Sequence, residues 1–252
     1  MKVALCPSLF EENLDPKAFD NFSDFVEETA LQKVLEVEKR LKDNGNNPDV
    51  VIGADTMVTL DGKMFGKPTS EQEAYDMLKS LAGRSHTVYT GVVVKASDNV
   101  VKFTENTDVV FGALDDEQIK GYIATGEPMD KAGGYGIQGV GGTFVEKING
   151  DYFTVVGLPL YRLCSVLYEP STLLHIKEAA NRRKDSISEK FSKLYDPDST
   201  KQEFSWHQDC LATYISEEKI RRQEIALHKK DEEEVSASTS KANVEELTPK
   251  PT

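Results

Sequence analysis

The chain has 252 residues, 38% hydrophobic and 29% charged, with a formal net charge of −13. That length suits one α/β domain with an extension, or two small domains, and the composition excludes collagen, coiled-coil fibres and multi-span membrane proteins. The acidic balance argues against a nucleic-acid-binding face, which needs basic surface to neutralise phosphates, whereas a few lysines and a divalent cation still suffice for a small anionic ligand.

Residues 1–10 carry one Lys and a short apolar stretch broken by Pro7. They lack the long apolar core and small-residue cleavage site of a signal peptide, and no apolar run nears the ~20 residues of a membrane helix, so a cytoplasmic protein without a membrane partner is expected. Residues 23–41 place Val26, Ala30, Val34, Val37 and Leu41 near helical spacing. Residues 49–60 open as a continuous apolar run, the mark of a strand buried on both faces, and Asp61-Gly62 supplies a tight hairpin turn. Ser70 with Glu73 forms a capping box for a helix to about Leu81, stopped by Gly83. Residues 87–95 and 100–111 read as paired strands, and Asp115 caps a helix to about Thr125. Residues 143–148 and 152–156 flank Asn149-Gly150 and read as a second hairpin, followed by a short helix from Pro159.

All 17 glycines fall at or before Gly157. The expected organisation is therefore a domain over 1–168, a charged helical extension over 169–230 (helices near 173–195 and 208–230), and a disordered acidic and Ser/Thr/Lys/Pro-rich tail over 231–252. The expected fold class is α/β, a mixed twisted sheet flanked by helices. Cys6, Cys164 and Cys210 are too widely spaced for a disulfide framework or a zinc site.

Two segments carry chemistry. Gly53-Ala54-Asp55-Thr56 ends a buried apolar run, where a carboxylate costs several kcal/mol unless paired or metal-bound. A loop Asp bonded to backbone amides is an equally good reading of that segment alone. In residues 127–139, glycines at 133, 134, 136 and 139 free the backbone for close approach to a ligand, and Lys131 precedes them. Taken alone, a tight irregular connection explains that segment slightly better than a phosphate loop. Lys67, stiffened by Pro68, is a third candidate, against the ordinary reading of a lone Lys as a solvated charge. The same ordinary reading is the stronger one for Lys33 in mid-helix, and His86 reads as structural or surface.

Four stretches, VIGADTMVTLDGKMFGKP (51–68), LAGRSHTVYTGV (81–92), YIATGEPMDKAGGYGIQG (122–139) and INGDYFTVVGLPL (148–160), together resemble the Maf family of nucleotide pyrophosphatases. The wording is similar to the Maf domain of acetylserotonin O-methyltransferase-like proteins and to the dTTP/UTP-preferring subgroup. The resemblance implies a Maf/inosine-triphosphatase-like fold and a housecleaning hydrolase. Such an enzyme cleaves a nucleoside triphosphate to monophosphate and pyrophosphate with a divalent metal, Mg2+ or Mn2+. Carried over position by position, Asp55 matches the proton acceptor, and Thr56 and Gln138 match specificity positions. Lys33, Lys67 and Lys131 match lysines around the phosphates, and Glu12, with Asp55, matches an acidic metal-holding position. A homodimer is a further expectation of the family. The family's usual opening, a strand and a Ser-x-Ser-Pro-Arg-Arg loop, has no counterpart in this sequence. Arg presents a bidentate fork that Lys does not reproduce, so a catalytically impaired nucleotide-binding or scaffold protein is the alternative expectation.

Overall fold

The computed structural model describes residues 4–169 and 171–172. The helices expected at 173–195 and 208–230 and the tail expected at 231–252 lie outside the described residues. The elements run α1 (Phe22–Asp43), β1 (Val51–Leu60), β2 (Lys63–Phe65), α2 (Glu71–Leu81), β3 (Ser85–Ala96), β4 (Asn99–Phe111), α3 (Asp116–Ile123), β5 (Val145–Asn149), α4 (Tyr152–Val156) and α5 (Leu160–Tyr168). The strands form one open sheet in the order β2-β1-β3-β4-β5. The α/β architecture with flanking helices is as expected, and among the described residues every strand pairing is antiparallel.

Local chemistry accounts for that direction. Asp61 and Gly62 take φ values of 52° and 74°, the left-handed pair that a two-residue hairpin between right-twisted strands requires. Ala96 pairs with Asn99, so β3 and β4 are joined by Ser97-Asp98, with Ser97 at φ 55°. Ser70 accepts the Glu73 N–H, as expected of the N-cap of α2. The Glu73 carboxylate reaches back one residue further than a capping box would, taking the Thr69 N–H at 2.7 Å and its hydroxyl at 2.6 Å.

One expected element is corrected. Residues 152–156 are not the second strand of a hairpin about Asn149-Gly150 but the helix α4, and β5 pairs with β4 instead, with Val109 opposite Ile148. Asp151 accepts the Phe153 N–H at 3.2 Å, and Gly157, at φ 104°, closes the other end. The buried Thr90 hydroxyl holds the turn by donating to the Thr154 carbonyl at 2.7 Å. Caps and one tertiary bond thus override the strand propensity of Tyr-Phe-Thr-Val-Val.

The sheet has helices on both faces. Val58, Leu78, Val88, Phe111 and Ile119 centre the larger apolar cluster, under α2 and α3. On the opposite face α1 packs Ala30 and Val34 against Val93. Gly53 and Gly91 make that seat possible. A Cβ on Gly91 would lie 2.6 Å from the Val26 carbonyl carbon, and one on Gly53 would lie 2.5 Å from Val34 Cγ2. With no side chain between them, helix and strands lie in direct contact.

Candidate active site

Residues alternate across a strand, so Gly53 and Asp55 face α1 while Ala54 and Thr56 face the other side. Asp55 is paired with Gly91 on β3, whose missing side chain lets the α1 backbone come down onto the strand beside it. Lys33, on the face of α1 that the glycines draw down, places its Nζ 2.6 Å from Asp55 Oδ1. The same ammonium lies 2.8 Å from Glu12 Oε1, and Lys67 Nζ lies 3.4 Å from that oxygen. The result is a chain of alternating charge, Asp55, Lys33, Glu12, Lys67. Side-chain exposure rises along it, from 11% and 17% at Asp55 and Lys33 to 44% and 55% at Glu12 and Lys67. The Asp55 carboxylate is therefore the most enclosed member of the chain, and Glu12 and Lys67 are the most exposed.

Glu12 reaches this point because the segment before α1 is strapped onto that helix. The Leu9 N–H and Ser8 hydroxyl donate to the Glu36 carboxylate at 2.8 and 3.0 Å, and Arg40 donates to the Pro7 carbonyl at 2.7 Å. Arg40, together with the Leu9 and Ser8 donors, draws the Glu36 carboxyl down to about 2.

Burial pushes the Asp55 carboxyl above its ordinary value, outweighing the pull of Lys33. Lys33 moves up as well, because the two carboxylates overcome the burial that would push it down. Glu12 moves down, since Lys33 and Lys67 together outweigh its partial burial. A raised carboxyl held beside a cation is suited to accepting a proton from water. Among the described residues no group of three or more His, Cys, Asp or Glu side chains is placed to hold a metal. Glu12 and Asp55 nevertheless converge on one cationic centre, the Lys33 ammonium.

The Gly-rich loop packs on the opposite face of the sheet, against Val58, and meets the segment that carries Lys67 through backbone. Gly133 donates its N–H to the Gly66 carbonyl at 3.0 Å, next to Lys67. Gly133 needs φ 69° and has no room for a Cβ, which would come within 2.8 Å of Val58 Cγ2. Lys131 Nζ pairs with Asp130 Oδ1 at 2.8 Å. A separate open cavity of about 330 Å3, walled in part by Phe19, Phe22, Met64 and Tyr89, holds none of the candidate residues.

A family model described as Maf-like protein matches residues 1–170. The chain belongs to the Maf family. It is 48% identical over 154 residues to a dTTP/UTP pyrophosphatase of Clostridium botulinum, covering 60% of this chain and 80% of that protein. It is 49% identical over 146 residues to a dTTP/UTP pyrophosphatase of Bacillus cereus, covering 58% and 74%. A protein of Homo sapiens, described as a probable bifunctional dTTP/UTP pyrophosphatase/methyltransferase protein, is 45% identical over 176 residues, 66% of this chain and 28% of the human one.

In this Maf chain the structure brings Glu12, Lys33, Asp55 and Lys67 together directly. Gln138 is exposed in the turn closed by the Gly139 N–H on the Gly136 carbonyl at 3.2 Å. Thr56 lies on the sheet face opposite Asp55, its hydroxyl 2.9 Å from that of Thr90. Lys33 is not the solvated mid-helix charge that its position in the sequence suggests. Sequence reasoning singled out neither Glu127 nor Tyr122, although Tyr122 donates to Glu127 Oε1 at 2.9 Å beneath the Gln138 turn. The available signal was a crowd of glycines (136, 139, 141), which shows that something packs closely there but not what. His86 is structural, 2% exposed, with Nε2 2.9 Å from Tyr135 Oη. No described helix is long and apolar enough to cross a membrane.

Proposed function

We propose that the chain hydrolyses a nucleoside triphosphate, dTTP or UTP, to the monophosphate and pyrophosphate, with Asp55 as proton acceptor. The observation that carries this reading is the largely buried Asp55 carboxylate 2.6 Å from Lys33, at the enclosed end of a chain of charges that runs out through Glu12 to Lys67. Water attacks the α-phosphorus and its proton passes to Asp55. The bond from that phosphorus to the bridging oxygen breaks, and pyrophosphate leaves with the electron pair. Lys33, Lys67 and Lys131 supply positive charge to the phosphate oxygens where negative charge grows. Gln138 offers both a donor and an acceptor to a pyrimidine edge.

Glu12 and Asp55 are the residues that would hold a divalent ion such as Mg2+ or Mn2+. Their oxygens already meet at one cation, and hard ions of this class are held by one or two carboxylates plus water and substrate phosphate. Such an ion, when bound, neutralises the phosphoryl oxygens and the leaving group.

That similar proteins are dTTP/UTP pyrophosphatases supports the choice of dTTP and UTP. A pyrophosphate-release screen over the common nucleoside triphosphates, with Mg2+ or Mn2+, tests the assignment. Release from dTTP and UTP above the purine nucleotides is expected. Calorimetric nucleotide binding without turnover would favour the non-catalytic reading instead.

A further inference from the structure

We propose that Glu127, acting with Tyr122, is the positioning residue that presents the Gln138 turn to the nucleotide, an inference that rests on the function proposed above. The Glu127 carboxylate is the hub on which that loop is folded. Oε2 accepts the Val140 N–H at 2.9 Å, and Oε1 accepts the Gly141 N–H at 3.1 Å and the Tyr122 hydroxyl at 2.9 Å. Tyr122 Oη in turn accepts the Gly136 N–H at 3.0 Å. The two side chains therefore hold the backbone on both sides of Gln138, at Gly136 before it and at Val140 and Gly141 after it.

The hub is rigid on its own side. Tyr122 is a buried residue of α3, packed in the core with Ile119 and Ile123. The Glu127 N–H is tied to Thr125 Oγ1 at 3.2 Å, and that hydroxyl donates to the Tyr122 carbonyl at 2.6 Å. Burial and the adjacent Glu127 keep the Tyr122 hydroxyl protonated well above its ordinary range, so it stays a donor to the carboxylate.

The loop fits the hub with no spare space. A Cβ at Gly139 would lie 2.4 Å from Glu127 Oε1, one at Gly141 would lie 2.6 Å from Tyr122 Oη, and one at Gly136 would lie 3.0 Å from Glu127 Oε1 and from Lys131 Cε. These glycines are small because the carboxylate and phenol occupy the positions that side chains would take. The same packing sets the Lys131 stem against Gly136. Glu127 thus governs two candidate substrate groups, by way of their backbone and packing.

A double-mutant cycle tests this. The variants are Glu127→Gln, Gln138→Ala and the pair, with Tyr122→Phe as a milder disruption that removes one hydroxyl. Each is read by kcat and KM for dTTP and dGTP, by calorimetric binding of both nucleotides, and by thermal midpoint. Glu127→Gln is expected to lower the dTTP-over-dGTP preference by about tenfold, mainly through KM, with saturated kcat changed less than about threefold. Because the effect runs through Gln138, the pair should be no less selective than Gln138→Ala alone. Tyr122→Phe should shift selectivity the same way by a smaller factor. Unchanged selectivity in Glu127→Gln, or additive losses in the pair, would overturn the positioning role. A wild type that binds both nucleotides without turnover sinks the catalytic reading, and the binding cycle then judges Glu127 separately. A wild type that binds neither overturns both.

Discussion

Asp55 is the least accessible of the four clustered charges, beside an ammonium that holds it but does not lower it below its ordinary range. A carboxyl so raised carries a cost in the folded state, because charge is favoured less there than in the unfolded chain. Asp55→Asn is therefore expected to lower turnover by about 10²–10⁴-fold while the thermal midpoint holds or rises. The pH dependence follows from the same shift. As pH falls through the raised value Asp55 takes up a proton and ceases to act as a base, so the acid limb of kcat/KM should lie above the ordinary Asp value of about 3.9. A rate profile from pH 4 to 8 checks this; a rate still level at pH 4 would contradict it.

His86 makes a different residue-scale case. Burial lowers its imidazole to about 4 from 6.5. The folded state therefore keeps it neutral while the unfolded chain takes up a proton below 6.5. Its stabilising contribution is complete above that pH and is lost as pH falls toward 4, a difference of about 3 kcal/mol. Urea unfolding of wild type and His86→Gln at pH 7 and pH 5 isolates it, since the carboxylates common to both cancel. The gap between the two proteins should narrow at pH 5.

Among elements, the contact of α1 with β1 and β3 decides whether Lys33 and Asp55 meet. Gly91→Ala would push a methyl into the α1 backbone, which cannot rotate away as a side chain can. A loss of about 1–3 kcal/mol is expected, with Lys33 displaced from Asp55, so activity should fall more than stability alone explains. Thermal melts alongside pyrophosphate release measure the two together. The sequence made α1, β1, α2, the β3/β4 pair and α3 legible because periodicity, caps and turn residues agreed there. It failed at 152–156, where strand-forming residues are held helical by Asp151, Gly157 and the Thr90 bond to Thr154. Asp55, Lys67 and Lys131 stood out as a charge in an apolar run and as lysines beside Pro or Gly. Lys33 and Glu12 were legible only through family resemblance, since a mid-helix Lys and a loop Glu look like surface until the glycine seat and the Glu36 strap bring them together. Glu127 was hidden because two of its three partners are backbone N–H groups, which no side-chain pattern announces.

For the molecule as a whole, the chain of contacts from Glu12 to Asp55 joins the leading segment, α1, β1 and the loop before α2 into one site, so a ligand that bridges them should stabilise the fold. A nonhydrolysable dTTP analogue with Mg2+ at a hundred times its Kd would add about 2.7 kcal/mol. Proton acceptance by Asp55 during pyrophosphate release is tested most directly by comparing wild type with Asp55→Asn at saturating dTTP. Nucleotide binding in both proteins, with pyrophosphate formed by wild type alone, is the expected result. Equal pyrophosphate release by the two would contradict it.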